Sequence, residues 1–231
     1  MWITEMEDFM MNKRALIFRG GWDGHEPVEV SQVFEKLLKK EGFEVDIYDD
    51  LSVFESLENI LKYSLIIPAY TMSEIKDEYV QNICAAVESG VGIAGCHGGM
   101  CDAFRNNTKW QFLTGSQWVA HPGNDGVEYE VNIIKSSSSP IIEGINDFKV
   151  KTEHYYLHVD PVVNVLATTS FPLVPGPHSA NGPVLMPIAY TKKWGKGRVF
   201  YTSLGHHADV FDVPEISELM RRGFLWANKL I

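Results

Sequence analysis

Between Arg14 and Cys96 short apolar runs alternate with amphipathic stretches, and few architectures accommodate that order. The run "RALIFR" (14–19) ends at Gly20-Gly21. After it, Val30, Val33, Phe34, Leu37 and Leu38 fall at helical spacing, and Gly42 supplies a stop. "FEVDIYD" alternates as a strand does, and "YSLIIPAY" is a second apolar strand. "SEIKDEYVQNICAAVESG" reads as a helix capped by Ser73 and ended by Gly90, and "VGIAG" is the next strand. Strands of this kind, separated by helices, predict a mostly parallel sheet covered on both faces. In such sheets ligands lie beyond the carboxyl ends of the strands. Two polar, glycine-rich turns sit at such ends: "GGWDGHE" (20–26) and "CHGGM" (96–100).

The second half is less regular. "DAFRNNTKWQFLTGSQWVAHPG" reads as helix plus loop, and "GVEYEVNII", "FKVKTEHYYLHVDP" and "VVNVLATTS" as strands. "FPLVPGPHSANGP" reads as a loop. "VLMPIAYTKKWGKGRVFYTSLG" reads as a hairpin turning at 194–197, and "VPEISELMRRGFLWANKLI" as a closing helix. No repeat or linker divides the chain, so one domain over 1–231 is expected, with about 1–13 as an extension before the first strand.

Composition narrows the function class. Thirty acidic against twenty basic side chains give a net charge of −10, which opposes a nucleic-acid surface. No window is apolar over the roughly 20 residues that span a bilayer, and the amino terminus lacks a signal pattern. Three cysteines without a CxxC pair suit a reducing compartment, so a cytoplasmic location is expected. The glycines after the first strand lack both G-x-G-x-x-G and P-loop spacing, so no nucleotide cofactor is expected.

The eight histidines are unevenly placed. His25, His97 and His206 each follow an apolar strand, so a parallel sheet would bring them to one edge. Three such imidazoles can bind a metal or deprotonate a small polar substrate. Cys96, between Ala94 and Gly98, lies in a turn like a nucleophile elbow, which leaves a cysteine hydrolase or amidotransferase as an alternative. The His-x-Glu partner pattern of that class is absent, and a small buried cysteine explains the residue as well.

Five motifs in order, "IFRGGWDGHE", "GIAGCHGG", "VAHPG", "TEHYYLHVD" and "GKGRVFYTSLGHH", resemble the trehalose-utilisation (ThuA-like) family from about Arg14 to the closing helix. The resemblance implies a flavodoxin-like, class I glutamine-amidotransferase-like α/β three-layer sandwich. It also implies use of trehalose or related disaccharides through keto-sugars. The family's elbow carries an aliphatic residue before its histidine, which puts Cys96 in the aliphatic slot and makes His97 the matching position. His25, His121 and His206 carry over from the other motifs, and Glu153 from the position before the paired tyrosines. His154 and His158 carry over less securely, and His207 has no counterpart.

The expected site therefore has His97, Glu153 and His206 as acid/base groups, with His25, His97 and His206 as metal ligands. Trp22, His25, His121, Tyr155 and Tyr156, with Trp118, are expected to touch a sugar. A single divalent metal is left open; imidazole and carboxylate suit zinc first, then iron or nickel. The expected partner is a small sugar. A sugar-binding or regulatory module without turnover is a further alternative, and the closing helix and sheet edges leave room for a homo-oligomer.

Overall fold

A computed structural model describes residues 13–231. The expected extension at 1–13 lies almost wholly outside the described residues. The first half runs β1 (Arg14–Gly21), α1 (Pro27–Lys40), β2 (Glu44–Tyr48), α2 (Leu57–Ile60), β3 (Leu65–Thr71), α3 (Asp77–Ser89), β4 (Gly92–Cys96) and α4 (His97–Cys101). The second half runs α5 (Thr108–Thr114), β5 (Ser116–Ala120), β6 (Val127–Ile133), β7 (Phe148–Thr152), β8 (Tyr156–Val159), β9 (Asn164–Phe171), β10 (Val184–Trp194), β11 (Gly197–Thr202) and α6 (Pro214–Ala227).

A nine-stranded sheet has the order β2-β1-β3-β4-β11-β10-β9-β6-β7. Pairs from β2 to β11 are parallel, and those from β11 to β7 are antiparallel. The sheet is thus mixed, which corrects the expectation of a mostly parallel one. Past residue 116 few helices are available as crossovers, and short connections join antiparallel neighbours only. The hairpin at 194–197 forms as expected, with Trp194 opposite Gly197. "SQWVA", expected as loop, pairs instead with β8 in a separate ribbon.

Alternation in β1 shows why helices flank the parallel wing. Ala15 and Ile17 join one core with Val30, Phe34 and Leu38 of α1 and Leu219, Met220 and Phe224 of α6. Leu16 and Phe18 join a second core with Val80, Ile83 and Val87 of α3 and Trp110 of α5. Strands buried on both faces read as continuous apolar runs, and β3 and β4 do so.

The helix expected to start at Ser73 starts at Asp77, with no side-chain cap. The Ser73 N–H donates to the Ala103 carbonyl at 2.9 Å, which ties it to the turn after α4. Among the described residues no helix is long and apolar enough to cross a membrane. All three cysteines are free.

Candidate functional site

The carboxyl ends of β1, β4 and β11 lie along one edge of the parallel wing, with β3 between β1 and β4, and each of the three delivers one histidine. His25 ends a short 3₁₀ turn after β1, His97 opens α4 directly after β4, and His206 follows β11. Glu153 arrives from the antiparallel wing, just past the end of β7. All four side chains are buried, and one ligand atom from each lies within 4.8 Å of the others. The structure thus brings together the three strand-end histidines and Glu153.

Three of these atoms form a tight triangle. His97 Nε2 is 3.1 Å from Glu153 Oε2, His206 Nδ1 is 3.2 Å from His97 Nε2, and His206 Nδ1 is 3.3 Å from Glu153 Oε2. Ligands about 2.0–2.2 Å from a tetrahedral zinc are separated from one another by about 3.3 Å. His97 Nδ1 donates to the Ser203 carbonyl at 2.8 Å, which fixes its tautomer and leaves Nε2 as a lone pair. His25 Nδ1 shares a 3.0 Å hydrogen bond with Thr71 Oγ1. Outer partners of this kind, on the ring nitrogen turned away from the centre, are typical of metal-binding histidines.

Electrostatics point the same way. Burial holds the His97 imidazolium well below the usual histidine range, and the neighbouring His206 adds to it. Burial, then His97 and His206, push His25 down to about 2, and burial lowers His206. Three neutral imidazoles therefore surround Glu153. Among the described residues its ion-pair partners are histidines alone, with no lysine or arginine. A buried carboxylate without a cationic partner is costly, and a cation in the triangle would remove that cost. The donor set, three nitrogens and a carboxylate oxygen, fits zinc and other first-row divalent ions.

Backbone geometry supports the arrangement. His97 has φ 45°, a left-handed conformation that is rare outside glycine. A Cβ on Gly98 would lie 2.5 Å from His25 Cε1, so only glycine lets β4 and the β1 turn close together there. The cavity touching His25, Thr71 and Cys96 is only about 10 Å³, room for at most one water.

Other expected residues are placed differently. His121, 37% exposed at its side chain, sits at the rim with Nδ1 3.9 Å from Glu153 Oε1. Trp22 is exposed, with its ring edge-on to His25 at 4.8 Å. Tyr155 is buried and stacks on His97 at 3.8 Å, so it is a wall behind the imidazole and offers no face to a sugar. Tyr156 points away from the cluster; its hydroxyl accepts from Asn181 Nδ2 at 2.9 Å. Trp118 is covered by the Arg105 guanidinium at 4.3 Å. His154 is buried between Tyr129 and Phe171, and His158 is exposed on β8, paired with Gln117. Cys96 is 3% exposed, and burial pushes its thiol up to about 12. A Cβ on Gly205 would lie 2.8 Å from its sulfur, so Cys96 is packed beneath the β11 loop. A thiol in that state is neutral at pH 7 and does not suit a nucleophile.

Sequence reasoning missed Thr71 and Ser203, because backbone carbonyls and lone threonines carry no motif. His207, which has no family counterpart, and Asp125, which carries no motif, also lie beside His206.

Comparisons with known proteins bear on the family and the fold. The trehalose utilisation (ThuA) family model matches residues 14–227. A ThuA-like protein from Bacteroides uniformis ATCC 8492 is 22% identical, with TM-score 0.74, covering 94% of this chain and 91% of that one. A ThuA-like protein from Parabacteroides merdae ATCC 43184 is 19% identical, with TM-score 0.71, covering 94% and 90%. A cytoplasmic protein from Salmonella typhimurium LT2 is 13% identical, with TM-score 0.63, covering 94% and 98%. At these identities the structures show a shared fold. No curated protein matches the sequence.

Proposed function

The chain belongs to the trehalose-utilisation (ThuA) family, and from that premise we propose that it is a cytoplasmic carbohydrate-processing enzyme. Its centre is one divalent cation, zinc first, held by His25, His97, Glu153 and His206. The observation that carries the reading is the buried triangle of His97 Nε2, His206 Nδ1 and Glu153 Oε2, whose edges are 3.1, 3.2 and 3.3 Å.

A bound divalent ion supplies Lewis-acid polarisation of a keto or hydroxyl oxygen of the sugar. The protein's own groups do the rest. The Ser203 carbonyl holds the His97 ring in one tautomer, and Tyr155 stacked on it keeps water from that face. Glu153 turns its second oxygen, Oε1, toward His121 at 3.9 Å. That oxygen can take a proton from the substrate and pass it to His121, whose exposure connects it to solvent. The substrate class, a keto-sugar related to a disaccharide, rests on family membership.

The test is elemental analysis of untagged protein never exposed to chelator, followed by assay on keto-disaccharides. About one equivalent of a transition metal, lost in His97→Ala together with turnover, is expected. Metal-free protein with an intact fold, or metal retained in His97→Ala, overturns the reading. A second reading, a sugar-binding module without turnover, draws on the burial of all four cluster side chains, which holds them back from the surface where a sugar would lie. Tight sugar binding with no product would select it.

A further inference from the structure

The cluster is buried, with His25, His97, Glu153 and His206 at most 8% exposed, so a sugar ring cannot enter whole. Whatever reacts must present one edge to the cluster while most of the molecule lies on the rim. The composition of that rim is specific.

On one side the turns after β1 and β3 carry two large apolar side chains outward. Trp22 is 48% exposed and Met72 is 51% exposed. The turns are locked together, because the Trp22 N–H donates to the Thr71 carbonyl at 3.0 Å. The same Thr71 orients His25, so the indole stands at a fixed place beside a metal ligand.

On the other side stands a polar row. His207 packs against His206 at 4.0 Å between ring centres. Its Nδ1 lies 3.1 Å from Glu26 Oε1, without the alignment of a hydrogen bond, and its Nε2 lies 3.9 Å from Asp125 Oδ2. Glu26 is anchored through its other oxygen, which accepts the Ala208 N–H at 2.9 Å.

Backbone strain marks the same ring of residues. Glu26, Met72, His97 and Asn124 have φ of 47°, 54°, 45° and 56°. Each is a non-glycine residue in the left-handed region, at a cost of about 1–3 kcal/mol. Three of them are rim residues or next to one, and the fourth is the central ligand. Strain of this kind persists where the surroundings impose it, commonly at ligand sites.

An exposed indole beside His25 and two carboxylates beside His207, at the same histidine cluster, together complement a pyranose. The C–H face of the ring covers the aromatic, and the hydroxyls donate to carboxylate oxygens. We propose that Trp22, backed by Met72, and the row Glu26–His207–Asp125 form an outer subsite for a second, non-reacting sugar unit, so that the site selects a disaccharide over a monosaccharide. This rests on the sugar-processing reading above and adds the residues that set substrate length.

The experiment is isothermal titration of the zinc-loaded full chain with trehalose and with glucose. Wild type is expected to bind trehalose at least about tenfold tighter, the equivalent of one good stacking or hydrogen-bonding contact. Trp22→Ala is expected to bring the ratio near one without loss of zinc, and Trp22→Phe to restore most of it. Asp125→Asn and Glu26→Gln are each expected to lower trehalose affinity severalfold. Zinc content reports that each variant is folded at the site. A ratio unchanged in Trp22→Ala, or equal affinities in wild type that holds zinc, overturns the subsite and leaves the metal reading standing. Wild type that takes up neither zinc nor sugar overturns both.

Discussion

Glu153 and His154 are neighbours in the chain, yet they feed two buried polar regions built on opposite rules. Glu153 enters a group in which ring nitrogens and a carboxylate converge to 3.1–3.3 Å. His154 is stacked between Tyr129 at 4.3 Å and Phe171 at 3.7 Å, and neither of its ring nitrogens has a hydrogen-bond partner. His178, nearby against Phe171 and Tyr156, also has both nitrogens unpartnered. Burial lowers the imidazolium in both regions, to about 2 for His25 and about 4 for His154. Burial and a shifted proton affinity therefore do not distinguish a site from a packed ring. Convergence of donor atoms on one point does.

The widest gap between the regions should appear in metal affinity. Glu153→Gln keeps the shape and removes the charge. Because losing an outer partner of a ligand already costs about 10–100-fold, this variant should weaken zinc by more than that. Competition against a chromophoric chelator measures it. Affinity within a few fold of wild type would erase the distinction drawn here.

Replacing each histidine by phenylalanine sharpens the contrast. His154→Phe deletes two buried unpartnered nitrogens, each of which costs about 1–3 kcal/mol, so it should be neutral or stabilising. His97→Phe strands the Ser203 carbonyl and Glu153, and should destabilise by about 2–3 kcal/mol. Urea unfolding at pH 7.5 compares the two directly.

Acid reads the same contrast through protons. A histidine kept neutral by burial binds no proton in the folded state, while the unfolded chain binds one below about pH 6.5. Stability of the metal-free protein should thus be full above that pH and fall as pH drops. Each such imidazole contributes a slope of about 1.4 kcal/mol per pH unit. For His154 the window runs from about 6.5 down to about 4, and His154→Phe should remove one proton's worth of slope. Unfolding curves at stepped pH test this, and an unchanged slope refutes it.

The smallest expected effect is at Thr71. Thr71→Val removes the partner of His25 Nδ1 and should weaken zinc about tenfold. Unaltered affinity would mean that packing alone orients that ring.

The sequence displays one side of this comparison better than the other. Apolar runs ending in Gly20-Gly21 and at Cys96 announce strand ends, and strand ends of a parallel wing share an edge, so His25, His97 and His206 were legible as a group. Glu153 was visible only through the motif "TEHYYLHVD", because its strand belongs to the antiparallel wing, whose order no local pattern encodes. The paired tyrosines show the limit. Tyr155 and Tyr156 look alike in sequence, yet one packs under His97 and the other joins Asn181, because adjacent residues at a strand start face opposite ways. Ser73 looked like a helix cap, but a backbone bond to Ala103 claims it.

Strand β11 lies between β4 and β10, although it is the last strand in the chain. Neither wing can complete its edge until that strand is inserted, and His206, just beyond it, is the last member of the cluster to arrive. During synthesis the amino-terminal wing must wait with β4 unpaired on one side from Cys96 until Gly197 is made. A polypeptide cut short before residue 197 lacks both the seam and the final imidazole.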